Sequence, residues 1–237
     1  MNNQLHRSAI IIFVCVFPWT QGSWIFSLLG QGNPPQNPFA AGVRNTEPLS
    51  PAQERQAFEL PPGFEIELVA SEPDISKPMN MAFDAKGQLW VTDTLEYPFP
   101  APSNQKGRDS IKVFSDTDKD GAYDKITTFA DGLNIPIGLY PYKNGVLVWS
   151  IPNLWWYEDT DGDGMAERRE KRYGPLGWER DTHGMNASFT RGFDGWLYAT
   201  HGFNNDTTIT GTDGSRVVMN SGNTYRVRLD GSRVEQH

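Results

Sequence analysis

Phe83-Asp84-Ala85-Lys86-Gly87-Gln88-Leu89-Trp90-Val91 sets a short turn of Asp and Gly directly before a run of aromatic and aliphatic residues. The same order returns in Lys143-Asn144-Gly145-Val146-Leu147-Val148-Trp149 and in Phe193-Asp194-Gly195-Trp196-Leu197-Tyr198-Ala199. Asp-Gly and Asn-Gly supply the positive φ of a tight turn, and the residues after them suit a half-buried strand. Each unit therefore reads as a β-hairpin, with its glycine, at 87, 145 and 195, giving the turn its shape. A second strand pair follows each hairpin. Ile111-Lys112-Val113-Phe114 answers to Lys125-Ile126-Thr127-Thr128-Phe129, and Leu154-Trp155-Trp156-Tyr157 to Glu170-Lys171-Arg172-Tyr173. After the third hairpin, Thr224-Tyr225-Arg226-Val227-Arg228-Leu229 opens such a pair and the sequence stops.

Four-stranded units recurring at about 40 to 60 residues point to an all-β protein of the β-propeller type. A β-sandwich also spaces short strands evenly, but it does not predict matching turns at matching places. About two and a half such blades are present, and a ring needs at least about four. The expectation is a partial propeller over residues 58–237, part of a longer gene.

Upstream, His6 and Arg7 precede an apolar run over residues 9–17, followed by Pro18 and the small residues Gly22 and Ser23. This is the order of a secretory signal, read here as residues 1–23. Apolar character resumes at 24–29, so an uncleaved anchor reaching about residue 29 and broken at Pro18 is the competing reading. Either way the body is expected outside the cytoplasm, in the periplasm or on the outer surface. Residues 24–57, with 31–51 rich in Pro, Asn, Gln and Gly, read as a disordered spacer, with order starting near Phe58. The single cysteine, Cys15, lies in the apolar run, and the residues before it do not suit a lipoprotein signal. The body beyond it can form no disulfide, thiolate metal site or covalently attached haem. A formal charge of −8 and a pI near 5.0 argue against nucleic acid and anionic membrane surfaces as partners and favour cations.

Asp159-Thr160-Asp161-Gly162-Asp163-Gly164, with Met165, Glu167 and Glu170 beyond, matches the D-x-D-x-D-G-x5-E calcium-loop template. Carboxylates fall at alternate positions, Met165 stands at the carbonyl-donating seventh position, Glu167 at the ninth, and Glu170 closes the loop as the twelfth. Asp116-Thr117-Asp118-Lys119-Asp120-Gly121, with Asp124 beyond, keeps the first half but has Thr127 where the closing Glu belongs. Strands, not helices, flank both loops. They are read as hairpin turns pinned by calcium in a structural role, against the alternative of solvated acidic turns.

Asp181-Thr182-His183-Gly184-Met185-Asn186 precedes the third hairpin, and His201, Asn204, Asn205 and Asp206 follow it. Residues just before the innermost strand of a blade line the channel of a propeller, so His183 is the candidate general base. Asp181 is its orienting partner. Histidines in Gly-rich loops often only satisfy backbone carbonyls, and His201 is read that way first. Trp90, Trp149, Trp155, Trp156, Trp178 and Trp196 are expected to pack the sheets, not to form a sugar platform.

These stretches, with Leu60-Pro61-Pro62-Gly63-Phe64 and Pro78-Met79-Asn80-Met81-Ala82-Phe83-Asp84, resemble the N-terminal domain of the membrane-bound dehydrogenase family of planctomycetes and verrucomicrobia. That family is itself distantly similar to the soluble quinoprotein glucose/sorbosone dehydrogenases, six-bladed TolB-like propellers. The resemblance implies that His183 accepts a substrate's hydroxyl proton as hydride passes to pyrroloquinoline quinone (PQQ). The arginine that those quinoproteins carry shortly after this histidine is absent, since Ala187 and Ser188 stand there and Arg191 comes later. Many relatives also carry a c-type cytochrome segment downstream, and none is read in these residues. A sugar or other alcohol is the implied substrate, and the electron acceptor is left open. Two further readings stand beside this one: a non-catalytic propeller that binds carbohydrate or protein, and, ranked last, a metal-dependent lactonase.

Overall fold

The computed structural model describes residues 9–12 and 47–237, and the chain divides into two compact units, Met1–Glu72 and Pro73–His237. In the first unit a helix, α1 (Pro51–Ala57), stands where the composition reads as spacer. It starts on a capping box: the Ser50 hydroxyl accepts from the Gln53 N–H at 3.4 Å, and the Gln53 side chain accepts from the Ser50 N–H at 2.9 Å. Pro51 pre-sets the first helical φ. None of its residues is buried, so there is no apolar period by which the sequence could have shown it. Two strands, β1 (Ala9–Ile12) and β2 (Glu65–Leu68), pair in parallel with Ala9 opposite Glu65. Apart from β1, the signal or anchor segment and the spacer as far as residue 46 lie outside the described residues. Among the described residues no helix is long and apolar enough to cross a membrane.

The second unit is all-β. Its first sheet is an antiparallel meander of β3 (Lys77–Phe83), β4 (Leu89–Thr94), β5 (Asp109–Ser115) and β6 (Lys125–Leu133). The second repeats the pattern with β7 (Leu139–Tyr142), β8 (Gly145–Ser150), β9 (Asn153–Glu158) and β10 (Arg168–Tyr173). The third begins with β11 (Ala187–Arg191) and β12 (Leu197–His201). A separate hairpin of β13 (Thr207–Thr210) and β14 (Arg216–Met219) follows, and then the sheet is completed by β15 (Asn223–Val227) and β16 (Val234–Gln236). No sheet among the described residues closes on itself. The third unit is thus fuller than its sequence suggests. The strand expected to run to Leu229 ends at Val227, a turn over Leu229 and Asp230, closed by the Gly231 N–H on the Arg228 carbonyl, reverses the chain, and Val234 pairs back to Val227.

The hairpin turns bear out the reading of glycines 87 and 195, at φ +82° and +84°. Asp84 shapes the first by accepting from the N–H groups of Lys86 and Gln88, both at 2.9 Å. At 145 the reading is corrected. Lys143 carries the positive φ, +54°, as the first of two turn residues between Tyr142 and Gly145. Gly145 is required for a different reason: a Cβ there would lie 2.1 Å from the Tyr157 carbonyl on β9.

The three sheets pack face to face in chain order, and alternation along β8 shows how. Val146 and Val148 turn to the first sheet, joining Trp90, Ile111, Val113 and Phe129. Leu147 and Trp149 turn to the third, joining Leu197, Tyr225 and Val227. Every residue of β8 is buried, and full burial of each large side chain contributes about 1.5–3 kcal/mol. Of the six tryptophans expected to pack, Trp90, Trp149, Trp156 and Trp196 are buried, while Trp155 and Trp178 are half-buried.

Neighbouring sheets meet in a repeated way. The first strands run side by side: the Asn80 side chain on β3 donates to the Ile137 carbonyl ahead of β7 at 2.9 Å, and Gly138 leaves no room for a Cβ beside the Asn186 carbonyl ahead of β11. At the outer edge, the loop after each third strand rests on the last strand of the preceding sheet. Ala166 N–H donates to the Phe129 carbonyl on β6 at 2.8 Å, and the Tyr173 hydroxyl on β10 donates toward the carbonyls of Arg228 and Arg233, 2.7 and 2.9 Å away.

Candidate functional site

Antiparallel meanders have two ends, and the candidate residues divide between them. Loops after first and third strands lie at one end; loops before first strands and after second strands lie at the other. The acidic loops, β5–β6 and β9–β10, share the first end, and the segment with Asp181 and His183, ahead of β11, lies at the second.

The two acidic loops have the same construction, bond for bond. Asp116 Oδ1 accepts from Lys119 N at 2.6 Å, as Asp159 Oδ1 does from Gly162 N at 2.6 Å. Asp116 Oδ2 accepts from Gly121 N at 2.9 Å, as Asp159 Oδ2 does from Gly164 N at 3.0 Å. Asp120 and Asp163 each accept from the amide two residues on, at 2.8 Å. Lys119 and Gly162, then Gly121 and Gly164, take positive φ at matching positions. Oxygens of Asp159, Asp161, Asp163 and Glu167 lie within 4.8 Å of one another, as do those of Asp116, Asp118 and Asp120, so either cluster could bind a metal ion.

The closing residue differs from the sequence expectation. Glu170 is not in the cluster: it lies on β10 opposite Trp156 and pairs with Arg168 at 3.1 Å and Arg172 at 2.8 Å. Glu167 closes the loop, accepting from the Thr160 N–H at 2.7 Å and hydroxyl at 3.0 Å. Asp124 does the same with the Thr117 N–H at 3.0 Å and hydroxyl at 2.6 Å. The twelve-residue template fails because a strand, not a helix, follows, and the pleat carries the twelfth residue away. Asp124 stands eight residues after Asp116, as Glu167 does after Asp159, but its oxygens are not grouped with those of Asp116, Asp118 and Asp120, so the expected ligand Asp124 is spent on Thr117 and the first cluster has three carboxylates where the second has four. The shared second-position threonine, missed in the sequence reading, was visible there as D-T-D in both loops. Hydrogen bonds from these threonines, the hydroxyl foremost at Asp124 and the main-chain N–H foremost at Glu167, hold both carboxyls below the usual range. Met165 is half exposed, and its N–H is held by Asp163.

At the other end, Asp181 Oδ1 accepts the His183 N–H at 2.8 Å and lies 3.1 Å from His183 Nδ1. The His183 N–H, and after it the imidazole, hold the Asp181 carboxyl below its ordinary value. An ionised carboxylate only accepts, so Nδ1 carries the ring proton and Nε2 is left as the basic nitrogen. Asn205, 2% exposed, fixes the segment: its Oδ1 accepts from the N–H groups of Arg180 and Asp181 at 3.2 and 3.3 Å, and its Nδ2 donates to the Asp181 carbonyl at 2.7 Å. The Tyr97 ring meets the imidazole edge to face at 5.5 Å, and the Thr182 hydroxyl donates to the Pro98 carbonyl at 2.7 Å. The His183 segment of the third sheet therefore touches the long β4–β5 loop of the first. His201 is buried, with Nδ1 3.0 Å from the Ser221 carbonyl and Nε2 2.8 Å from the Thr207 hydroxyl, so both ring nitrogens have partners within the fold. Asp206 pairs with Arg180 at 2.9 Å.

Residues 50–237 match the family model described as Domain of unknown function (DUF7133). The chain belongs to the DUF7133 family. No curated protein matches it. The DUF7133 match takes in α1, all three sheets, both acidic loops and the Asp181–His183 pair.

Proposed function

We propose that this DUF7133 chain supplies successive blades of a calcium-stabilised β-propeller and the proton-accepting group of an exported dehydrogenase acting on a sugar or other alcohol. The observation that carries this reading is the carboxylate of Asp181 set on His183 Nδ1, at the end where the first strands of the three sheets begin. A hydroxyl on the substrate would give its proton to Nε2 while hydride leaves the adjoining carbon for a two-electron acceptor. Charge on the imidazolium would be balanced by Asp181.

The propeller reading is supported by the three repeated meanders, their side-by-side first strands and the recurring contact at their outer edges. Calcium fits the loops, whose donors are all oxygens at alternate positions. With free calcium at a hundred times Kd, each occupied loop gains about 2.7 kcal/mol. A chelator is therefore expected to lower the heat-unfolding midpoint, and Asp161→Ala to shrink that shift. An unchanged midpoint in chelator contradicts the metal reading.

PQQ does not fit the residues present. It is a tricarboxylate, and among the described residues the cations at this end are engaged: Lys77 donates to the carbonyls of Leu95 and Tyr97 at 3.3 and 2.7 Å, Arg108 is paired with Glu96 at 2.8 Å, and Arg180 with Asp206. No step is therefore routed through it.

The second reading, a non-catalytic propeller binding carbohydrate or protein, is favoured by the 69% exposure of the His183 side chain. Aldoses and simple alcohols offered to the complete gene product with an artificial acceptor, with and without added PQQ, separate the two. Turnover of one of them supports the dehydrogenase; saturable sugar binding without turnover supports the binding module.

A further inference from the structure

A cleft of about 630 Å³ opens between the second and third sheets, at the end opposite His183, and none of its lining residues belongs to the acidic loops. It is lined by five cationic side chains and three carboxylates, in a chain whose formal charge is −8. The carboxylates do not neutralise the cations evenly. Glu158 and Glu170 are taken by Arg168, at 3.2 and 3.1 Å, and Glu170 also by Arg172 at 2.8 Å. Asp230 turns inward on its own loop, accepting from the Ser232 N–H at 2.9 Å.

Among the described residues, no carboxylate pairs with Arg191 or Arg228. Both guanidiniums donate to one acceptor, the Gly195 carbonyl, from Arg191 Nη1 and, at 3.1 Å, from Arg228 Nη1. They flank Gly195 closely, since a Cβ on it would lie 3.2 Å from Arg228 Nη1 and 3.6 Å from Arg191 Nη2. Arg228 is also stacked on the Trp196 ring at 3.9 Å, which fixes the plane of its fork. Two like charges sharing one neutral oxygen repel each other, and each keeps most of its five N–H donors unused. An oxyanion between them answers both the repulsion and the spare donors, and planar guanidiniums hold such oxygens two at a time.

We propose that this cleft binds the oxyanion group, carboxylate or sulfate, of an organic ligand between Arg191 and Arg228. Inorganic sulfate and D-glucuronate, titrated calorimetrically into the protein at constant ionic strength, supply the two forms of the group. Saturable binding of at least one is expected, weakened tenfold or more in Arg191→Gln/Arg228→Gln and unchanged in Arg233→Gln, whose guanidinium pairs with Glu235. The tighter probe identifies the group. If the glutamine pair fails to unfold cooperatively, Arg191→Lys/Arg228→Lys replaces it, keeping the charge and losing the fork, with a smaller weakening expected. Absence of binding by both probes, or equal binding by wild type and a folded double variant, overturns the proposal. Neither result bears on His183, which lies at the other end of the sheets.

Discussion

Asp109→Ala is expected to destabilise the second unit by about 3–5 kcal/mol, read as a fall in the denaturant midpoint at unchanged slope. Asp109 is fully buried. Its Oδ1 accepts from the N–H groups of Leu95 and Glu96 at 2.6 and 3.0 Å, and its Oδ2 from the Ile135 N–H at 2.7 Å. Removing the carboxylate leaves three donors without an acceptor, each costing about 1–3 kcal/mol when buried, less whatever water can recover. Ile135 adds to the effect. It sits at φ +49°, a region β-branched residues avoid, and its bond to Asp109 helps hold it there. Asp109→Asn should fall between, because one amide oxygen can keep two of the bonds while the NH2 group faces the third donor. A loss under about 1 kcal/mol for Asp109→Ala would mean that water replaces the carboxylate. This one side chain ties the β4–β5 loop to the segment entering the second sheet, and that loop carries Tyr97 against His183.

The parts of the fold that could be read from sequence were those fixed by local chemistry. Asp84 and Gly87, or Asp194 and Gly195, name a turn because the carboxylate and the positive φ act within five residues. The continuous apolar run of β8 marks a strand covered on both faces. The hairpin β13–β14 and strand β16 were hidden because their residues are mostly small, polar or charged and are held by packing from the third sheet. Helix α1 was hidden because it buries nothing. At the site, the first six residues of each acidic loop were legible, since their bonds are local. The closing residue was not, since whether the ninth or twelfth position reaches back depends on the strand that follows. Asp181 and His183, two residues apart, could be paired from sequence. Asn205 and Tyr97, which come from distant loops, could not, and neither could the shared carbonyl between Arg191 and Arg228.

His183→Ala in the complete gene product, assayed on the sugar or alcohol that is turned over with an artificial acceptor, is the most direct measurement of the proposed chemistry. Loss of a positioned general base typically lowers the rate by about a hundred- to ten-thousand-fold. A drop of that size is expected in kcat, with the calcium-dependent shift in unfolding temperature kept, because the acidic loops lie at the far end of the sheets. The His183 side chain is largely exposed, so its removal should cost little stability and the two effects can be told apart. Asp181→Asn should give a smaller drop, since it weakens the partner of Nδ1 and leaves Nε2 in place. Turnover within a factor of about two of wild type in His183→Ala would contradict the assignment of His183 as the base and favour the binding-module reading.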